Sequence, residues 1–348
     1  MFVTINRFLQ KQTIVILSIV IPYYNSNAWI GALLETLLDQ DLAPNEYEII
    51  VVDDASTEEP VVLKDYVARY SHVHYHRQEK SGVSEARNTG IAMAQGEWLY
   101  FCDSDDFVQP KVLKGILEAA EQLDLEMVFA NRVVLRPNQK PDRPIRNFSS
   151  ISPVVTAAAY YANPKQDSYG IWRFLLRRSI LIEHQIRFPD MSFAEDRVFY
   201  LDIMPYITRV AHIDVDLYYH VLHESSTIHL QRRLKCSEYM SQIMLYILRV
   251  DKEIKHGNYE TPVFDRMEAS LDQSAFYLLW NVFQYCPVRE TLQYLTQLEG
   301  IGAYPVKGRR QMARERFVQR WMNVRWLWVL GCRLFHLVPL SIRIKMGK

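Results

Sequence analysis

Two carboxylates separated by one residue, Asp103 and Asp105, follow directly on the apolar run Trp98-Leu-Tyr-Phe-Cys102. Such a run reads as a buried strand, so both acids leave it at a sheet edge. In an extended turn, side chains two positions apart point the same way. Paired oxygen donors of this kind suit a hard divalent cation, which keeps positions open for phosphate oxygens. Asp106 adds negative potential. The spacing alone also fits a solvated acidic turn opening the helix near Pro110, and the strand in front of it favours the metal reading.

Three further segments carry chemistry. In Ser81-Gly82-Val83-Ser84-Glu85-Ala86-Arg87-Asn88-Thr89-Gly90 a helix is expected to start with Ser84 as N-cap. Its entry would offer backbone N–H groups, and Arg87 a fork of donors, to a pyrophosphate or a nucleobase edge. The bland alternative is a capped helix whose Arg87 pairs with a neighbouring acid. Asp53-Asp54-Ala55-Ser56 can hold a nucleobase edge or a ribose, or simply close its strand through an Asx-type turn. In Phe193-Ala194-Glu195-Asp196-Arg197 a carboxylate could take a proton from an attacking hydroxyl, or serve only as helix N-terminal charge.

The elements that must position these groups alternate. Apolar runs at Ile14–Ile21, Tyr47–Val52, Val73–His76, Trp98–Cys102 and Glu126–Leu135 are separated by helical segments. Those segments are Ala28–Gln40, Val61–Tyr70, Ser84–Ala94 and Lys111–Leu123. Fully apolar strands between helices predict an α/β fold with a mostly parallel sheet covered on both faces. Ligands bind such sheets beyond the carboxyl ends of the strands, where Pro22-Tyr-Tyr-Asn25, Asp53–Ser56 and Asp103–Asp106 fall. Residues 136–165 read as a long loop, 168–216 as mixed, and 230–300 as helical.

Composition sets the outer limits. Of 348 residues, 40 are Lys or Arg and 40 are Asp or Glu, so no global field points to nucleic acid. The balance hides an asymmetry: residues 307–348 hold eleven Lys or Arg and one acid, Glu315. Cys102, Cys236, Cys286 and Cys332 are widely spaced, which excludes a zinc ribbon and suits a reducing cytoplasm. Arg7, Lys11 and the run to Ile21 could imitate an export signal, but Pro22 follows with no small-residue cleavage site, and the run reads as a strand. No stretch of about 18 apolar residues suggests a spanning helix.

Taken in order, Ile19-Val-Ile-Pro-Tyr-Tyr-Asn25, Val51-Val-Asp-Asp-Ala-Ser56, Gly82–Gly90, Ala94–Asp106 and Ala194-Glu-Asp196 closely resemble family 2 glycosyltransferases of the GT-A fold, of the kind that build bacterial polysaccharides. The resemblance covers roughly residues 14–220. It implies a GT-A, Rossmann-like sheet followed by a helical C-terminal region. It implies inverting transfer from a nucleotide-sugar donor, usually a UDP-sugar, to a glycan or lipid-linked glycan acceptor, with Mn²⁺ or Mg²⁺. By motif position Pro22 and Tyr24 are the floor of the nucleotide site and Asp54 the acid that reads uracil. Arg87 and Asp103 contact the nucleotide, Asp105 binds the metal, and Asp196 is the base beside Glu195. Lys80 stands where many members carry Asn or Gln, and marks a different phosphate or base contact. Ala55 replaces a common glycine and is expected to be harmless. His223-Glu-Ser-Ser-Thr227 loosely matches a segment that closes over the pyrophosphate.

The expected organisation is a catalytic domain over 1–220, a helical accessory region over 221–306 and a basic aromatic tail over 307–348. In the tail, Phe317, Trp321, Val324, Trp328 and Phe335 fall on one helical face. Two readings stand: peripheral contact with an anionic membrane, or a helix packed on the core. An aspartyl phosphatase of the haloacid dehalogenase type is disfavoured, because Phe107 stands where that chemistry wants Thr or Val. A non-catalytic sugar-nucleotide-binding subunit on the same fold is the remaining alternative.

Overall fold

The computed structural model describes residues 15–135, 145–163, 170–222, 236–308, 310 and 312–335. The first half runs β1 (Leu17–Tyr23), α1 (Ile30–Leu38), β2 (Tyr47–Asp54), α2 (Val61–Arg69), β3 (Val73–Gln78), α3 (Val83–Met93), β4 (Trp98–Phe101), β5 (Phe107–Val108), α4 (Leu113–Gln122) and β6 (Met127–Leu135). Next come α5 (Ala157–Ala162), β7 (Phe174–Arg177), α6 (Arg178–Glu183), α7 (Glu195–Ile203) and β8 (Val210–Val221). Five helices follow: α8 (Cys236–His256), α9 (Thr261–Tyr285), α10 (Val288–Gly300), α11 (Ala313–Met322) and α12 (Arg325–Phe335).

Two compact units interleave along the chain. The first comprises Met1–Val154, Ile171–Gln185 and Ala211–Val221, and the second Val155–Gly170, Ile186–Val210 and Leu222–Lys348.

The eight-stranded sheet has the order β3-β2-β1-β4-β7-β6-β8-β5. β3, β2, β1 and β4 are parallel, as the alternation of strand and helix requires. β7 is antiparallel to both β4 and β6, and β5 to β8, so the far half of the sheet departs from the parallel expectation.

The period of two decides what β1 touches. Leu17, Ile19 and Ile21 join Ile30, Leu33, Leu34 and Leu37 of α1, and Leu63 and Tyr66 of α2, in one buried core. Val20 points to the other face, where α3 crosses so closely that a Cβ on Gly90 would overlap its Cγ1. Helices therefore cover both faces, and α3 lies nearest to the strand ends.

The second unit is helical around Met240, Ile247, Leu278, Leu279, Val282, Leu295 and Leu298. The tail contributes Met322, Trp328 and Cys332 to the same core. Phe283 is ringed by Trp321, Trp328 and Phe335 at centroid distances of 5.2, 5.0 and 4.4 Å. Core packing thus accounts for three of the five aromatic-stripe positions, while Phe317 stays 74% exposed. Among the described residues no helix is long and apolar enough to cross a membrane. Cys102, Cys286 and Cys332 are buried free thiols.

Candidate functional site

Because β1, β2 and β4 are parallel, their carboxyl ends share one edge of the first unit. Pro22 lies past Val20, the last β1 residue paired with β4, so its missing N–H costs the ladder little. Beyond it the chain turns at Asn25, whose φ is 49°. The Asn25 N–H donates to Ser56 Oγ at 2.9 Å, and its Oδ1 accepts from the N–H groups of Thr57 and Glu58. Ser104 Oγ donates to Ser26 Oγ at 2.8 Å. The three strand ends are thereby stitched together.

The two adjacent acids of β2 divide the work. Asp53 is fully buried and accepts from the Ser56 N–H, the Tyr75 hydroxyl and Arg77, closing the strand as an Asx-type turn. Asp54 faces α3. It accepts from Ser81 N–H at 2.7 Å, Gly82 N–H at 3.1 Å and Gln78 Nε2 at 3.0 Å. Burial pushes the Asp54 carboxyl up, but the Ser81 N–H, Gln78, the Gly82 N–H and Lys80 together hold it below the usual range.

This corrects two expectations. Gly82, at φ 92°, is the N-cap of α3, and Ser84 lies inside the first turn. The entry N–H groups of Ser81 and Gly82 are spent on Asp54 rather than presented to a ligand. Lys80 bridges Asp54 Oδ2, at 3.3 Å, and the face of the Tyr24 ring, 3.5 Å from its centroid. Tyr24 is 43% exposed and the Lys80 side chain 57% exposed. Ala55 holds φ 58°, a left-handed conformation that strains any residue with a Cβ, so its exchange for glycine is not neutral.

One turn into α3, Arg87 is buried and donates to Asp103 Oδ1 at 3.0 Å. A single helix thus joins Asp54 at its N-terminus to Asp103. Across Asp103–Asp106 burial alternates: Ser104 and Asp106 point inward, while Asp103 and Asp105 are partly open. The i, i+2 carboxylates do share a side. Asp106 turns inward, yet its charge still acts on Asp103. It is 1% exposed and accepts from the Tyr218 hydroxyl at 2.5 Å, the Val221 N–H at 2.6 Å and His220 Nδ1 at 3.1 Å. The Tyr218 oxygen also accepts from the Asp103 N–H at 3.2 Å. Trp172 stacks on Tyr218 and His220 with centroids at 4.8 and 6.0 Å. The acidic turn is therefore clamped to the end of β8, by residues that sequence reasoning did not single out. Their signal was the period-two spacing of Tyr218 and His220.

Burial raises the Asp103 carboxyl to about 6; Arg87 opposes this, while Asp106 and Asp105 add to it. The His220 imidazole is raised by its hydrogen bond to Asp106, against the effect of burial. Among the described residues no three His, Cys, Asp or Glu side chains gather closely enough to hold a metal ion unaided. The donor set still fits a divalent ion shared with a diphosphate, which needs one or two carboxylates. Burial is the main cause of the raised Asp103 carboxyl, and the smaller contributions of Asp106 and Asp105 are negative charge that such an ion would offset.

Asp196 belongs to the second unit. It lies with Glu195 in the first turn of α7, after Ala194 at φ 61°. It lines a cavity of about 400 Å³ together with Arg197, Tyr161, Tyr246, Arg266 and Gln273. A larger open groove of about 790 Å³ along α8 and α10 carries none of the motif residues. The segment His223–Thr227 lies outside the described residues.

A family model described as glycosyl transferase family 2 matches residues 18–199, just over half of the chain. EpsJ of Bacillus subtilis, named as an uncharacterized glycosyltransferase, is 31% identical over 58% of this chain and 60% of its own length. TarS of Staphylococcus aureus, a poly(ribitol-phosphate) beta-N-acetylglucosaminyltransferase, is 26% identical over 58% of this chain and 35% of its own length. The chain thus aligns with less than two thirds of either relative. Among solved structures, residues 1–349 of TarS with UDP superpose with a TM-score of 0.64 at 19% identity, covering 96% of this chain and 92% of that one. The mannosyltransferase PcManGT of Pyrobaculum calidifontis, with GDP-Man and Mn²⁺, gives 0.51 at 14% identity, covering 92% and 86%. These likenesses establish the GT-A type fold.

Proposed function

The chain belongs to glycosyl transferase family 2, and from that premise we propose that it moves a sugar from a nucleotide donor to a hydroxyl of a glycan or lipid-linked glycan, with inversion. The observation that carries the reading is the continuous path from Asp54 through α3 and Arg87 to Asp103 at one sheet edge. In this reading a single helix ties the acid proposed to meet the base to the acid proposed to meet the ribose.

A UDP-sugar is the donor we favour, since TarS has been solved with UDP and with UDP-GlcNAc. Tyr24 offers a ring face to the base above Pro22. Asp54 reads the base edge once Lys80, its exposed partner, swings toward the phosphates. Arg87 holds Asp103 in place beside the ribose. Asp105, with Asp103, would hold Mn²⁺ or Mg²⁺, which offsets charge on the departing diphosphate when bound.

Asp196 takes the proton of the acceptor hydroxyl. The hydroxyl oxygen bonds to the anomeric carbon from the face opposite the diphosphate, whose C–O bond breaks. The reading places the enzyme in the cytoplasm, beside an acceptor at the membrane surface.

Release of UDP from a panel of UDP-sugars, with and without Mn²⁺, tests the assignment. Asp196→Asn is expected to lower transfer by at least about 100-fold while leaving UDP affinity within about twofold. Transfer at the wild-type rate by this variant removes Asp196 from the mechanism.

A further inference from the structure

Four of the five most exposed large apolar side chains among the described residues crowd into residues 312–335: Phe317 at 74%, Trp326 at 66%, Met312 at 62% and Leu334 at 57%. Leu330 adds 46%. On α12, Trp326, Leu330 and Leu334 recur at i, i+4 and i+8 and form one ridge. The opposite side of the helix is the one that enters the core, through Trp328 and Cys332. The ridge is therefore left over after packing, and differs from the stripe that spacing alone picks out.

Its setting is basic. Residues 312–335 hold Arg314, Arg316, Arg320, Arg325 and Arg333 against Glu315 alone. Arg325 is engaged with Glu299 at 2.8 Å, whereas Arg320 and Arg333 stand exposed on their helices. Clustered exposed apolar side chains of this kind mark interaction surfaces. Apolar side chains set among arginines, with tryptophan present, match the interface of an anionic bilayer. A second copy of this chain would bring like charges face to face.

We infer that α11 and α12 dock the protein on an anionic membrane, with Trp326, Leu330 and Leu334 entering the interface and Arg320 and Arg333 meeting lipid headgroups. The inference deepens the membrane position of the proposed function, yet stands apart from sugar transfer, because its readout is lipid binding.

Full-length protein is mixed with vesicles of phosphatidylcholine carrying about 30% phosphatidylglycerol, and with vesicles of phosphatidylcholine alone. Binding to the anionic vesicles is expected to be at least about tenfold tighter and to weaken in 0.5 M salt. Trp326→Ser combined with Leu330→Ser is expected to lower that binding at least about tenfold, with unchanged melting temperature and UDP affinity. Arg320→Gln with Arg333→Gln lowers it while preserving the apolar ridge. Equal binding to both vesicle types overturns the proposal, as does full binding by the serine variant. A concentration-dependent dimer that the serine substitutions dissolve, without vesicle binding by the wild type, assigns the ridge to a second copy instead.

Discussion

The clamp on the acidic turn yields the sharpest expectation. Tyr218 is fully buried, and its one hydroxyl joins the Asp106 carboxylate at 2.5 Å and the Asp103 N–H at 3.2 Å. Burial, with Asp106 and Asp103 close by, pushes that phenol well above its ordinary range, so it keeps its proton and remains a donor to Asp106. Tyr218→Phe preserves the ring stacked on Trp172 and deletes only the bridge. A hydrogen bond to a charged group contributes about 1.5–3 kcal/mol and a longer neutral one about 0.5–1.5 kcal/mol. The combined loss is roughly 2–4 kcal/mol, against about 5–15 kcal/mol for a whole domain, so the variant folds with a lowered melting temperature. Because Asp106 retains Val221 and His220, the effect falls on the position of Asp103. Misplacing a binding group by about 1 Å can cost 100-fold, so Mn²⁺-dependent UDP affinity is expected to drop 10- to 100-fold. Tyr219→Phe is the control, since its hydroxyl binds Gln109 Oε1 at 2.6 Å, away from the acidic turn. It should lose stability and keep UDP affinity. Calorimetric UDP titrations and thermal melts of both variants decide the matter. If Tyr218→Phe binds UDP like the wild type, or if both variants weaken equally, the clamp does not position the site.

Three other outcomes follow from the same geometry. Ala55→Gly relieves a left-handed φ of 58° and should stabilise the protein by about 1 kcal/mol in urea unfolding; an unchanged or lower midpoint contradicts the strain argument. Asp103, raised to about 6 in the fold against 3.8 ordinarily, keeps its proton in the native state through that interval while the unfolded chain releases it. Its contribution to stability is thus greatest at the acidic end and fades as pH rises from about 4 to about 6. A cation held by Asp103 would have to displace that proton, so Mn²⁺ affinity should climb about fivefold between pH 5 and 6, about twofold more by pH 7, and then level off; a flat profile by titration calorimetry, or an unaltered one in Asp103→Asn, refutes this. Gly90→Ala forces α3 off Val20 and should cost about 1–3 kcal/mol, partly restored by Val20→Ala in a double-mutant cycle.

How much of this was legible depends on what each strand must bury. β1, β2 and β4 are covered on both faces, so their central residues are apolar on both sides and announce themselves as runs. That pattern alone puts their acidic ends on one edge. β8 is different. Its sequence Val-Ala-His-Ile-Asp-Val-Asp-Leu-Tyr-Tyr-His-Val mixes acids and histidines into a twelve-residue strand. Those polar groups are there because the neighbouring chain binds them. Asp214 accepts from Asn131, Ser149 and Arg146, and Asp216 from the Arg146 N–H. The partners are 65 to 83 residues away in sequence, beyond the reach of any local pattern.

The same distance explains why the inward turn of Asp106 was not legible, although its negative charge on Asp103 was. Nothing in Asp-Ser-Asp-Asp tells which acid turns inward; the choice is made by Tyr218, His220 and Val221, more than 110 residues later. Once β8 is in place, the inward acid becomes a fixed point from which Asp103 and Asp105 are held outward. The shared side of Asp103 and Asp105 was readable from their spacing, but the rigidity of the turn was not, because rigidity here is supplied by hydrogen bonds between distant segments. A site whose ligands are local and whose supports are remote should tolerate changes near the motif better than its sequence suggests, and changes in β8 worse.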